Sequence, residues 1–339
     1  MTRGLNFRDT HVSLAHGNGG RMMHELIEGL FAPALANPLL DTGADAVSLP
    51  IPAGQDLFVT TDGFTVKPLE FPGGNIGSLA VHGTVNDLAV SGALPRYMTL
   101  SVFLEEGLEI ELLRRVIGAL GNAARECAVA VVAGDTKVVG RGDCDGIYLA
   151  ATGVGFRPKG VCLGLDRARP GDRILVSGPI GDHGAAVMLA RQEFGLRGDL
   201  RSDAGSVLSQ AQSLMTVAGL RFMRDPTRGG IATVAHELAR AAGLTVRLSE
   251  RQIPINDSVE SVCELLGFDP LYLACEGRLI AVVAPETAEA ALTALRMVAP
   301  RASLIGELGV GPPQVILDTA FGGQRSLDEL EDDPLPRIC

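Results

Sequence analysis

The chain has 339 residues, 46% of them hydrophobic, and a formal net charge of −11. That size exceeds what one hydrophobic core usually holds and predicts two domains of roughly 150 residues each. The acidic balance excludes a broad basic footprint for nucleic acid or anionic lipid.

The first twenty residues lack an apolar signal core, and no run reaches the roughly 18 apolar residues of a spanning helix, so a cytoplasmic protein with no membrane partner is expected. Residues 57–61 (LFVTT) and 128–133 (AVAVVA) are short β-branched runs that predict buried strands, each ending in a polar turn, TTDG and AGDT. Between them, 76–91 and 109–127 carry helical spacing, 98–104 fits a strand, and 147–156 completes a first α/β unit. Residues 157–169 mix Pro, Gly and charge without periodicity and mark a boundary. A strand over PGDRILVSG and a helix over DHGAAVMLARQEF open the second unit. Helices follow at 230–242 and 286–298, with strands at 245–248, 271–274 and 279–283. The short link between the last two strands requires antiparallel pairing, so the fold class is α+β, mixed layers rather than a doubly wound parallel sheet. From residue 321 the sequence loses periodicity, turns acidic and reads as a mobile tail. Extended, it would reach on the order of 50 Å.

HGNGGR, holding Gly17, Asn18, Gly19 and Gly20, runs into a helical pattern, and main-chain N–H groups freed by glycines there suit a phosphate. No Lys is followed by Ser or Thr, which excludes a Walker A loop. Asp45, Asp62, Asn86, Asp87, Gly134 with Asp135, and Asp225 with Thr227 sit in TGADAV, TTDG, VNDL, GDT and RDPT; carboxylates converging there would suit a metal-bound nucleotide. Each Asp is equally a turn former or helix cap, but Asn86 and Asp87 lie in an apolar small-residue helix, where a buried polar pair needs a partner. Lys137 follows GDT in a chain that otherwise prefers Arg, and offers a compact charge or a solvated surface group. Glu276 in LACEGR is a base pointing into a cleft or a turn residue. His183, beside Asp182, reads as the start of a helix. The six cysteines form no C-x-x-C and no zinc-like spacing with His, which argues against a disulfide framework or a zinc site; Cys339, the last residue, is an incidental thiol or a carrier.

The segments LAHGNGG, TTDGF, VNDLAVSGA, AGDTKV, RDPTRGG and ACEGR, with the closing Pro336, Arg337, Ile338 and Cys339, resemble the HypE family of carbamoyl dehydratases that serve nickel-iron hydrogenase maturation. The resemblance implies a PurM-like architecture: an ATP-binding and dimerisation domain over 1–156 whose sheet pairs with that of a second subunit, an α/β domain over 170–320, and a mobile tail over 321–339 ending in the carrier Cys339. It implies ATP and Mg2+ as cofactors, with Gly17 to Gly20, Asp45, Asp62, Asn86, Asp87 and Asp135 holding phosphate and metal, and Lys137 and Glu276 acting on the tail's amide. Among these, Asp45, Asp62, Asp87 and Asp135 are the expected metal ligands, and Lys137 is expected beside Glu276, keeping it ionised. The implied partners are a second copy, the carbamoyltransferase HypF that loads Cys339, and a HypC-HypD complex that accepts the cyanide group. Alternative readings are a small-molecule ATP-dependent synthetase of the same superfamily and a nucleotide-gated carrier or scaffold.

Overall fold

A computed structural model describes residues 9–44, 46–191, 199–331, 335 and 337–339. The first half is a four-stranded sheet backed by two helices. After a short helix α1 (Arg21–Leu26), extended by α2 (Ala32–Ala34), come β1 (Gln55–Phe64), a small hairpin of β2 (Glu70–Phe71) and β3 (Gly74–Asn75), and α3 (Ile76–Val90). Then follow β4 (Leu94–Glu105), α4 (Ile110–Glu126), β5 (Ala130–Val139) and β6 (Ile147–Pro158). The sheet order is β1-β6-β4-β5, antiparallel except for the β4/β5 pair, whose parallel crossover is α4.

The second half is a seven-stranded sheet. Its elements are β7 (Arg173–Val176), α5 (Asp182–Ala190), α6 (Leu208–Met215), β8 (Leu220–Arg224), α7 (Gly230–Ala242), β9 (Thr245–Ser249), α8 (Asp257–Leu266), β10 (Ile280–Val283), α9 (Ala288–Arg296), β11 (Ser303–Gly309), β12 (Gln314–Asp318) and β13 (Gln324–Ser326). The order is β13-β12-β9-β11-β7-β10-β8, with only the β12/β9 pair parallel.

Several elements differ from expectation. TTDG and GDTK are not turns but lie inside β1 and β5, because one face of the first sheet is open and polar residues can alternate along a strand without being buried. Residues 271–274 form no strand; Pro270–Tyr272 is a 3-10 turn, and β10 pairs antiparallel with β7 and β8 instead, so the α+β architecture stands on different partners. The segment from 321 is held rather than loose where it is described: β13 pairs with β12, and Leu327, Leu335 and Ile338 are buried. Main-chain pairing needs no hydrophobic period, which is why composition concealed it.

α3 carries the assembly. Asn75 caps it by accepting from Gly77 N at 2.9 Å and Ser78 N at 3.1 Å. It is apolar nearly all round, as a helix buried on every side must be. One side packs on α4 and the first sheet, and its end, Ala89 and Val90, joins the core formed by β8, β10, α6 and α9. The first core likewise takes in Ala185 to Met188 of α5 and Val259 of α8, so the halves share hydrophobic packing. The other face of the first sheet is open and exposes Leu57 at 52%, Val59 at 61% and Phe103 at 39%.

The α3/α4 crossing depends on Gly77, where an added Cβ would lie 2.2 Å from the Val116 carbonyl oxygen. Gly77→Ala should therefore destabilise the protein by about 1–3 kcal/mol in urea unfolding. Gly118→Ala, in open space on the same helix pair, should be neutral or slightly stabilising.

Candidate functional site

Four carboxyls meet in the seam between the two halves. Asp62 comes from β1, Asp87 from α3, Asp225 from the turn after β8, and Glu276 from the loop before β10. Asp87 accepts a hydrogen bond from Thr60 Oγ1 at 2.7 Å. Beside them a cleft of about 490 Å³ is lined by Thr60, Asp87, Arg157, Arg224, Asp225 and Thr227, among others. Burial raises every one of these acids above its ordinary range, and neighbouring carboxylates raise Asp62, Asp225 and Glu276 further, while the Thr60 hydrogen bond and Arg224 partly offset the rise at Asp87. Asp225 is pushed up to about 7 by burial and then by Asp87. Glu276, 2% exposed, rises well above the usual carboxylate range through burial and then Asp225, Asp203, Asp62 and Asp87, and its Oε1 has no hydrogen-bond partner among the described residues. The resting site therefore favours the neutral form of its deepest acids.

The Glu276 loop is fixed by its main chain. Asp203 accepts from Glu276 N at 3.2 Å and Gly277 N at 3.3 Å, and a Cβ on Gly277 would fall 1.9 Å from the Asp203 carbonyl oxygen. The Asn86 amide donates to the carbonyls of Glu276, at 3.2 Å, and Gly205, at 3.0 Å, and accepts from Val207 N at 2.8 Å. Asn86 was expected beside a phosphate or metal; its amide is engaged with backbone, which gives it a positioning role in the site.

Asp135 and Lys137 occupy a different place. Asp62 pairs in register with Ala151, which lies opposite Leu100, and Leu100 lies opposite Gly134. Asp135, one residue on, therefore faces the opposite side of the sheet, three strand spacings or about 14 Å across from β1. Lys137 Nζ bonds Asp135 at 2.6 and 2.7 Å, both side chains about half exposed. The expectation that Lys137 neighbours Glu276 and keeps it ionised is corrected: within one chain the charges raising Glu276 are all acidic. The expected metal quartet is likewise divided between two faces, Asp45 lies outside the described residues, and among the described residues no three His, Cys, Asp or Glu close around a metal.

The Gly17 to Gly20 loop lies along β5, against Val138, the residue after Lys137. A Cβ on Gly17 would fall 2.7 Å from Val138 N of β5, so the loop approaches the strand as only glycine permits. A second cavity of about 340 Å³, with an apolar wall of Met23, Phe31 and Leu100, opens beside Gly134 and Asp135. Asn18 is exposed at the loop's tip. Thr227 does not cap α7, which starts from Gly229 in the left-handed region, and lines the acidic cleft instead.

The chain's end is seated between the halves. Thr65 N donates to the Cys339 carbonyl at 3.0 Å, and Lys67 N to that of Arg337 at 3.3 Å. The Arg191 guanidinium donates to the Arg337 carbonyl at 2.9 Å, and His183 Nε2 lies 2.8 Å from the Ile338 carbonyl oxygen. Arg337 pairs with Asp145 and lies over the Tyr148 ring. Cys339 is half-buried against the first core, less accessible than a loose end would be. Thr65, Arg191 and Asp203 carried no sequence signal, and His183 was read only as a helix start; a His amid DHGAAVM, a stretch too apolar to solvate it, was the clue that it needs a partner.

Residues 43–156 match the AIR synthase related protein N-terminal domain and residues 169–318 the corresponding C-terminal domain. Carbamoyl dehydratase HypE of Bradyrhizobium diazoefficiens is 45% identical over 342 residues, covering 99% of each chain. A solved structure of the hydrogenase maturation protein HypE in complex with ATP superposes with a TM-score of 0.92 at 44% identity, covering 96% of this chain and 99% of that one. The structure of a HypE-HypF complex aligns at 0.79 and 39% identity, covering 92% of this chain and 100% of that one. Full-length identity of this order, together with both domain matches, shows that the chain belongs to the HypE family of carbamoyl dehydratases.

Proposed function

We propose that this protein dehydrates an S-carbamoyl group on its own Cys339, using ATP, to give a thiocyanate that supplies the cyanide ligand of a hydrogenase iron centre. The observation that carries the reading is the docked chain end: Cys339 lies in the seam between the halves, its carbonyl held by Thr65 N at 3.0 Å. The chemistry is then balanced in two steps. The carbamoyl oxygen attacks the γ-phosphoryl group of ATP, releasing ADP and one N–H proton; loss of the second proton with phosphate leaves S–C≡N.

Glu276 is the proposed base. Burial and acidic neighbours raise its proton affinity, so in its ionised form it is a strong proton acceptor. Lys137 and Asp135 project from the outer face of β5, the strand that also carries Gly134 and that Gly17 approaches at Val138, and with these glycines form a second half-site for phosphate. A second copy applied to the open sheet face would bring a partner's half-site toward that face, and the exposed Leu57, Val59 and Phe103 support such a homodimer. Mg2+ takes one or two carboxylates plus phosphate oxygens, so no closed cluster is required of the protein; Asp62 with Asp87 on one side of the sheet, or Asp135 on the other, are the carboxylates suited to it, and the ion would offset phosphoryl charge. A HypF-type carbamoyltransferase would load the thiol and a HypC-HypD complex would accept the cyanide, both in the cytoplasm, and both with the chain end displaced from its seat. Among the described residues no helix is long and apolar enough to cross a membrane.

Carbamoylated protein given MgATP should lose the mass of one water at Cys339 by peptide mass spectrometry; ATP turnover without that loss would sink the dehydratase reading. An ordinary carboxylate is already ionised above its usual range and would give a flat pH profile, whereas the raised Glu276 should make the dehydration rate climb as pH rises. Glu276→Gln should cut that rate on the order of 100-fold and flatten the profile. Val59→Asp should shift the protein from dimer to monomer in sedimentation; a monomeric parent chain would remove the proposed interface.

A further inference from the structure

His183 is fully buried at the start of α5, and no step above uses it. Its ring meets the Phe71 ring edge-on at 5.3 Å, and both nitrogens have partners. Nε2 lies 2.8 Å from the Ile338 carbonyl oxygen and Nδ1 lies 2.8 Å from Ser202 Oγ. A carbonyl oxygen only accepts, so Nε2 carries the hydrogen. In a neutral ring Nδ1 is then an acceptor, and the Ser202 hydroxyl must donate to it. That hydroxyl in turn accepts from Ala204 N at 2.9 Å, so its direction is set by the backbone. Burial keeps the ring neutral, lowering its pKa to about 4 against the opposing pull of the Ile338 carbonyl. Ser202 is followed by Asp203, the residue that grips the main chain of Glu276 and Gly277. One short stretch thus holds the loop of the proposed base and, through His183, the carbonyl next to Cys339.

We infer that His183, locked by Ser202 in the tautomer protonated at Nε2, is a positioning residue that seats the chain end by its bond to the Ile338 carbonyl, fixing Cys339 relative to the Glu276 loop. The functional half of this inference rests on the dehydratase reading; the seating half does not. At Ile338 the hold is a neutral hydrogen-bond donor, which can let go without separating charges, as a carrier that must also be loaded outside requires. The bonds of the His183 ring go to the Ile338 carbonyl and Ser202, so its effect is on where the substrate lies and not on proton transfer.

The test separates the two halves. In unloaded protein without nucleotide, maleimide alkylation at Cys339 is followed by peptide mass spectrometry, with the exposed Cys162 as internal control. His183→Leu and Ser202→Ala should each speed alkylation of Cys339 roughly tenfold, the scale of one lost buried hydrogen bond, and leave Cys162 unchanged. His183→Gln, which keeps a donor near the Nε2 position, should restore most of the protection. In carbamoylated protein with MgATP, the first two variants should dehydrate roughly tenfold more slowly, while their loading by the carbamoyltransferase proceeds at the parent rate. Equal alkylation of Cys339 in the parent and His183→Leu would overturn the inference, as would a loss of loading in parallel with dehydration, which marks general misfolding. Absence of dehydration in the parent chain would instead refute the dehydratase reading while the alkylation contrast still judged the seat.

Discussion

The Asn86 amide is the tie on which the site's geometry depends. It reaches from a helix belonging to the first half and satisfies three main-chain groups of the second, the carbonyls of Gly205 and Glu276 and the N–H of Val207. Those groups are not in helices or strands at that point, so without Asn86 the Gly205 carbonyl and the Val207 N–H would each lose a hydrogen bond, at a cost of about 1–3 kcal/mol, and the Glu276 carbonyl would keep only the bond from Gly205 N at 3.3 Å. The amide also orients two segments at once: the 202–207 stretch, which carries Asp203 and Ser202, and the loop that presents Glu276. Hydrophobic packing around α3 joins the halves but is not directional. Asn86 supplies the direction, which is why a polar residue belongs in the middle of an otherwise apolar helix.

The acids around Asn86 cost stability in a way that function explains. Asp225, whose folded value of about 7 lies above its ordinary 3.8, favours the folded state fully only at acidic pH, and this contribution is lost as pH rises through about 7. Glu276, Asp62 and Asp87 shift in the same direction. A fold selected for stability alone would not crowd four carboxyls into one seam with desolvation and mutual repulsion both against their charge. Crowding them stores protons and raises the basicity of whichever group ionises, and it makes entry of a positive charge favourable. The site is therefore shaped electrostatically before any ligand arrives.

Much of this was legible in the sequence, for reasons that differ by residue. Helical periodicity marked α3 and α4, and the apolar run around VNDL already required Asn86 and Asp87 to have partners, though not which partners. GDT and TTDG were recognised as unusual and wrongly placed in turns, since composition cannot reveal that one sheet face is open and admits alternating polar side chains. The separation of Asp135 from Asp62 onto opposite faces depends on register, a long-range property absent from any local window. His183, Ser202 and Asp203 are distant in sequence from residue 338 and become neighbours only when the chain end folds back.

That return has an energetic logic. Ordering one residue's backbone costs about 1–2 kcal/mol, and a net hydrogen bond contributes about 1 kcal/mol, so the contacts to the carbonyls of Arg337, Ile338 and Cys339 are of the size needed to offset the order they impose. Burial of Leu335 and Ile338 tips the balance toward the seated state without making it permanent. Had the end been clamped by buried ion pairs, breaking one partner away would leave an uncompensated charge and a far larger barrier. A seat built mainly from neutral donors to main-chain carbonyls, with Arg337 meeting Asp145 at a partly exposed position, holds the chain end in the seam weakly enough to let it go.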